Sequence, residues 1–227
     1  MKTLSAILIK QCKDSLHNLP SLMVMLIYPA VAWIMITAMR GEEAMTDFFV
    51  PMFAAMHCSF SPITLASNIL SEEKEKGTLR SLVMAGVSGI QYLISLSVFV
   101  IVFSMLTGSA FLIMGDFDPQ RTLTFAGAML AGVILSTLAG LCVGIRSKNV
   151  SGANGIAVPV GLVLALLPML GQFNSRIEKA AGYVYSGQIS GLMQGGDITS
   201  KTVAVLCAYF VGLWGLLILL FRRNKLD

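Results

Sequence analysis

Six of the few charged side chains in this chain stand within nine residues: Glu72, Glu73, Lys74, Glu75, Lys76 and Arg80. Uncharged runs flank them, from Phe48 to Leu70 and from Ser81 to Gly115. Three acids and three bases at this density serve ion pairing, within the chain or with a partner. A second polar set is His57, Ser61, Thr64 and Asn68, at offsets 0, 4, 7 and 11. A helix places all four on one face. Polar groups inside an apolar stretch face the bundle interior or a water-filled path. The stripe therefore has two uses, hydrogen bonding to neighbouring helices or lining a transport route. Neither set is catalytic. No serine, cysteine or histidine constellation supplies a nucleophile with its base, and the GxxxxGK[ST] loop of a P-loop ATPase is missing. Cys12, Cys58, Cys142 and Cys207 share no CxxC or zinc spacing, so they read as small apolar residues and no metal site is expected.

The elements that must position these residues follow from composition. Of 227 residues, 56% are hydrophobic and 12% charged, with a mean hydropathy of +0.78. Soluble domains carry roughly 25% charged residues, so the chain reads as an all-α integral membrane protein. The net charge of +4 comes from scattered bases, not a basic face, which excludes nucleic acid as a partner. A crossing needs about 20 apolar residues. Six stretches meet this, near 19–39, 48–70, 90–114, 123–145, 152–171 and 202–221. They form one transmembrane domain over 19–227. Residues 1–18 precede it with Leu4, Ile7, Leu8, Cys12 and Leu16 on one helical face. This predicts an amphipathic interfacial helix with Lys2, Lys10 and Lys13 toward lipid headgroups.

Positive charge sets orientation. With the N-terminus inside, eleven of the 16 basic residues fall in cytoplasmic segments: Lys2, Lys10, Lys13, Lys74, Lys76, Arg80, Arg146, Lys148, Arg222, Arg223 and Lys225. Arg40, Arg121, Arg176, Lys179 and Lys201 remain outside. Both termini and the 71–89 segment are thus expected in the cytoplasm. Residues 172–201 are long for a loop and rich in Tyr183, Val184, Tyr185, Ile189, Leu192 and Met193, which predicts two short helices folded back on the outer membrane face. The fourth crossing carries Ala128, Gly132, Ser136, Gly140 and Gly144, each four residues from the last. Such a stripe lets another helix approach closely, within the chain or across a dimer seam.

Within 71–89, Gly77 and Thr78 read as a helix start with Thr78 as N-cap, and Leu79, Leu82 and Val83 as a short apolar face. That pattern fits either an interfacial helix in a solvated loop or a helix docking a soluble partner. The run EKEKGTLRSL, from Glu73 to Leu82, followed by the small residues Gly86 to Gly89, resembles the signature after the second span of ABC-2 type transporter permeases. Length and span layout are similar too.

The resemblance implies a cytoplasmic coupling helix between spans two and three, short re-entrant helices between spans five and six, and placement in the bacterial cytoplasmic membrane. It also implies function. The chain would be the permease subunit of an exporter, working as a homodimer or paired with a similar permease, with two copies of a separate ATPase that holds ATP and magnesium. Contact with that ATPase would fall to Glu72, Glu73, Glu75, Gly77, Thr78, Leu79, Arg80, Leu82 and Val83, although Arg80 stands where many members have an acid. The apolar spans and 14 methionines favour a hydrophobic or amphipathic cargo such as a drug, antimicrobial peptide or toxin. Alternatives are a peptide-binding immunity membrane protein, a permease for lipid-linked polysaccharide, and a self-sufficient channel or carrier. The last is disfavoured because no predicted span holds an internal acid or base.

Overall fold

Amides and carbonyls in oil have no water to bond, so an apolar stretch satisfies them within itself, as helix. The computed structural model describes residues 2–38, 43–84 and 86–224. These are helical between short turns, with no strand among them. Of the residues named above, Arg40 and Lys225, and the side chains of Lys2, Leu4, Leu16, Arg80 and Val83, lie outside that description.

In chain order the elements are α1 (Lys2–His17), α2 (Leu19–Ala38), α3 (Glu43–Glu75), α4 (Thr78–Met84) and α5 (Gly89–Gly115). There follow α6 (Pro119–Arg146), α7 (Val150–Gly171), α8 (Ser175–Ala181), α9 (Tyr185–Met193) and α10 (Ser200–Asn224). Helices α2, α3, α5, α6, α7 and α10 are long and apolar enough to cross a membrane. The two short helices expected within 172–201 are α8 and α9.

Local chemistry sets the boundaries. Ser88 and Gln91 form a capping box at the start of α5. Asp118 caps α6 with Pro119 in its first turn, and Asn149 and Asn174 cap α7 and α8. The charged segment departs from expectation. The second stretch was expected to end near residue 70, yet α3 continues through Glu72, Glu73, Lys74 and Glu75, because Glu and Lys are good helix formers and Glu72 pairs with Lys76 one turn on. The chain turns only at Gly77, whose φ of +69° is the left-handed region that favours glycine.

Helix α3 sits at the centre, packed against α2, α5, α6, α7 and α9. Its closest neighbour is α6, through the small-residue stripe. A Cβ on Gly140 would lie 2.6 Å from the Ile63 carbonyl oxygen, and one on Gly144 would lie 3.0 Å from the Leu70 Cβ. Gly132 meets Cys58 of α3 and Ile189 of α9. Two large apolar clusters fill the interior, beside a small third one at Met52, Met56 and Ala165. One, with Leu70, Tyr92, Leu96 and Leu141, lies toward α1 and α4; the other, with Phe111, Phe125, Met129 and Ile189, lies toward α9.

Candidate functional site

Three consecutive residues at the end of α3 each engage a different part of the fold. Glu73 is 6% exposed. Its carboxylate accepts from Lys10 Nζ and from Gln11 Nε2 (3.2 Å) on α1, and from the Thr78 hydroxyl that opens α4. Lys74 Nζ donates to the carbonyls of Gly144 (3.1 Å), Ile145 (2.7 Å) and Ser147. These are unpaired carbonyls at the C-terminus of α6, the negative end of its dipole, where a cation is favoured. Glu75 Oε2 accepts the Val150 N–H (3.0 Å), at the positive N-terminal end of α7. One turn of helix thereby ties α4 to α1, α6 and α7.

Charged groups at the rim are looser. Glu72 and Lys76 form an exposed pair, and the bond and charge of Glu72 raise the Lys76 pKa above its ordinary value.

Helix α4 does not present the surface read from its sequence. Leu79 is 7% exposed and belongs to the core, and Leu82 packs partly buried against it. The pair turns inward because the exit of the chain at Gly77 lays α4 back across the end of the bundle. Thr78 is not an N-cap: Ser81 N–H bonds the Gly77 carbonyl, so Gly77 holds that place, and the Thr78 hydroxyl donates to Glu73 instead. Among its described side chains, α4 offers Ser81 and Met84 outward, the latter 74% exposed.

Lys10 also departs from expectation. It meets Glu73, not a lipid surface, because α1 packs against α5 with Ile7 and Gln11 buried. Lys10, Gln11 and Lys74 are the site residues that sequence reasoning passed over. Gln11 stands four residues after Ile7 and so shares its buried face, a legible signal. Nothing local announces that Lys74 reaches carbonyls about 70 positions away.

The polar stripe of α3 is buried, with Asn68 partly so. His57 Nε2 donates to the Ser104 carbonyl of α5 (3.1 Å), and Ser61 to the Val24 carbonyl of α2 (2.9 Å). Thr64 bonds back to Phe60 and Ser61 of its own helix. Asn68 Oδ1 and His57 Nδ1 are buried without a partner.

At the opposite end, the stripe of α6 receives α9. The Tyr185 hydroxyl and Ser136 Oγ are 2.8 Å apart, and burial pushes the tyrosine pKa up. The N-terminal half of the stripe thus holds α9, through Gly132 (which also meets Cys58 of α3) and Ser136, and the C-terminal half holds α3, through Gly140 and Gly144. Ala128 is buried in the cluster beside α9.

Among the described residues no group of His, Cys, Asp and Glu side chains is arranged to hold a metal ion. Compared with known proteins, the chain matches no family model and no curated protein.

Proposed function

We propose that this chain is the permease subunit of an ATP-driven exporter of the ABC-2 type, seated in a bacterial cytoplasmic membrane with both termini in the cytoplasm. Six crossings make half of a pathway, and a second copy completes it. Two copies of a separate ATPase, carrying ATP and magnesium, dock at the face where α3 ends. The observation that carries this reading is the linkage by Glu73, Lys74 and Glu75, which ties α4 to three other elements at once. A force on α4 cannot be absorbed locally. It moves the ends of α1, α6 and α7 together with the central helix. An ATPase that binds two arrangements of this unit with different affinity shifts the permease between them, and that difference is the coupling free energy.

Within this reading, Glu73, Lys74 and Glu75 hold the lever in place, and the docking contact belongs to the exposed side of α4, Ser81 and Met84. His57 and Ser61 are committed to neighbouring helices, so Asn68 is the member of the polar stripe assigned to the path. The cargo is hydrophobic or amphipathic, of the drug, antimicrobial peptide or toxin kind. Helices α8 and α9 form the re-entrant pair at the outer face.

Met84→Glu together with Ser81→Arg tests the docking role, because neither side chain supports the core. The double variant is expected to fold normally and to lose the ATPase on co-purification. Undiminished co-purification would refute the assignment of α4 as the docking element.

A further inference from the structure

Beside the Glu73 junction lies a cleft of about 640 Å³ between α1, the start of α2 and the end of α3. Its lining carries two ammonium groups, Lys10 and Lys76, and three carboxylates, Asp14, Glu72 and Glu73. Lys10 and Glu73 are engaged with each other at the back. Lys10 also lies 3.6 Å from Asp14 and is about as exposed as Glu72, so the two ammonium groups and three carboxylates of the lining leave one net negative charge, with Asp14 its most exposed acid. Leu19 also lines the cleft, and it is the first residue of a membrane-length helix. From Leu19 an exposed apolar ridge continues along α2 through Met23, Leu26 and Ile27. A polar pocket with both signs of charge is thus continuous with an oily ridge, at the level where a crossing begins.

We infer that this cleft binds the headgroup of a zwitterionic phospholipid bearing a primary ammonium, the ethanolamine type, with one acyl chain along the α2 ridge. The ammonium donates to Glu72 and Asp14 and the phosphate accepts from Lys76, each as a charge-assisted hydrogen bond. Charge decides between lipids. An anionic glycerol headgroup meets a lining with one net negative charge and is disfavoured, while a choline headgroup has no N–H to donate. The exposed Glu72–Lys76 pair gives up little when both partners turn to the headgroup, since such pairs are weak in water. The cleft is distinct from the outward side of α4, and the inference holds whichever partner supplies the energy for transport.

The test uses the full chain, delipidated in detergent and offered vesicle lipid of the ethanolamine, choline or glycerol headgroup with the same acyl chains. Bound lipid is counted by native mass spectrometry, with the melting temperature measured in parallel. Retention of the ethanolamine lipid is expected to exceed that of the other two by about tenfold. Asp14→Asn, a change at an exposed position that leaves Glu73 intact, is expected to cut this preference by roughly threefold, and Asp14→Asn with Glu72→Gln to abolish it. Soluble phosphoethanolamine is expected to leave the melting temperature unchanged, because it lacks the chain that the ridge holds. Equal retention of the ethanolamine and choline lipids overturns the inference. So does a preference that survives the double substitution, which would place the lipid elsewhere, and so does a full thermal shift from phosphoethanolamine alone, which would make the ligand a soluble one.

Discussion

Helices α3 and α10 are both long enough to cross a bilayer, yet 78% of the apolar window of α3 is buried inside the protein and only 6% of that of α10. Their compositions run opposite to what burial dictates in water. The central α3 is the least hydrophobic of the six and carries His57, Ser61, Thr64 and Ser67 in its interior. The peripheral α10 is the most hydrophobic, with Phe210, Val211, Trp214 and Leu219 exposed. In oil the outside of a bundle costs nothing to make apolar, so association depends on close backbone approach and on internal hydrogen bonds. The contrast teaches that the most buried of these helices keeps polar side chains among its apolar contacts, while the most exposed is almost wholly apolar.

The sharpest way to break the comparison is to place the same bulk at a glycine on each helix system. Gly140→Leu would drive a side chain into the Ile63 backbone of α3, where even a Cβ has only 2.6 Å. Overpacking of this kind costs roughly 3 kcal/mol, and no rotamer relieves it because the obstacle is main chain. Gly212→Leu on α10 meets nothing within 4 Å, and a change of roughly 0.5 kcal/mol or less is expected. Thermal unfolding in detergent should therefore separate the two variants clearly. Similar losses at both sites would mean that α10 is packed against something as closely as α3 is.

A smaller effect is expected at the charged end. Glu73→Gln keeps the shape of the side chain but removes the charge that Lys10 faces, and turns one acceptor oxygen into a donor group beside Gln11 and Thr78. Stability is expected to fall by roughly 1–3 kcal/mol, with α1 becoming sensitive to protease because its polar anchor is weakened. Lys76→Gln, which disturbs only the exposed pair with Glu72, should cost less and leave α1 protected. If the two variants unfold alike, the junction is a surface ion cluster and not an internal tie.

The sequence carried much of this contrast, unevenly. All six helices long and apolar enough to cross were legible from run length, since a bilayer sets the length of an apolar helix. The small-residue stripe from Ala128 to Gly144 was legible as a contact face, but its division between α9 and α3 was not, because spacing names a groove without naming what enters it. The face of α4 was misread for a related reason. A short apolar stripe has the same periodicity whether Leu79 turns toward a partner or back toward its own core. The direction was set by the left-handed turn at Gly77 and the pull of Glu73 on Thr78, contacts that join elements and leave no period in the chain.

The smallest effect concerns Tyr185, where α9 joins the two regions: its hydroxyl meets Ser136 of α6 and its ring lies 5.3 Å from that of Tyr209 on α10. Tyr185→Phe removes one buried hydrogen bond, worth about 1 kcal/mol at neutral pH. The sign of its pH dependence follows from burial, which raises the tyrosine pKa above its ordinary value of 10.0. The folded chain then keeps a proton that the unfolded chain releases, so the contribution is complete below about pH 10 and is lost as the pH climbs toward the folded-state value. The wild-type protein and the variant should accordingly differ most at neutral pH and converge above about pH 10, a comparison in which the other tyrosines and lysines cancel. Melting temperatures of the pair across that range decide the matter. A gap that stays constant would mean that water reaches the hydroxyl, and that α9 lies on the bundle as an outer element like α10 instead of within it like α3.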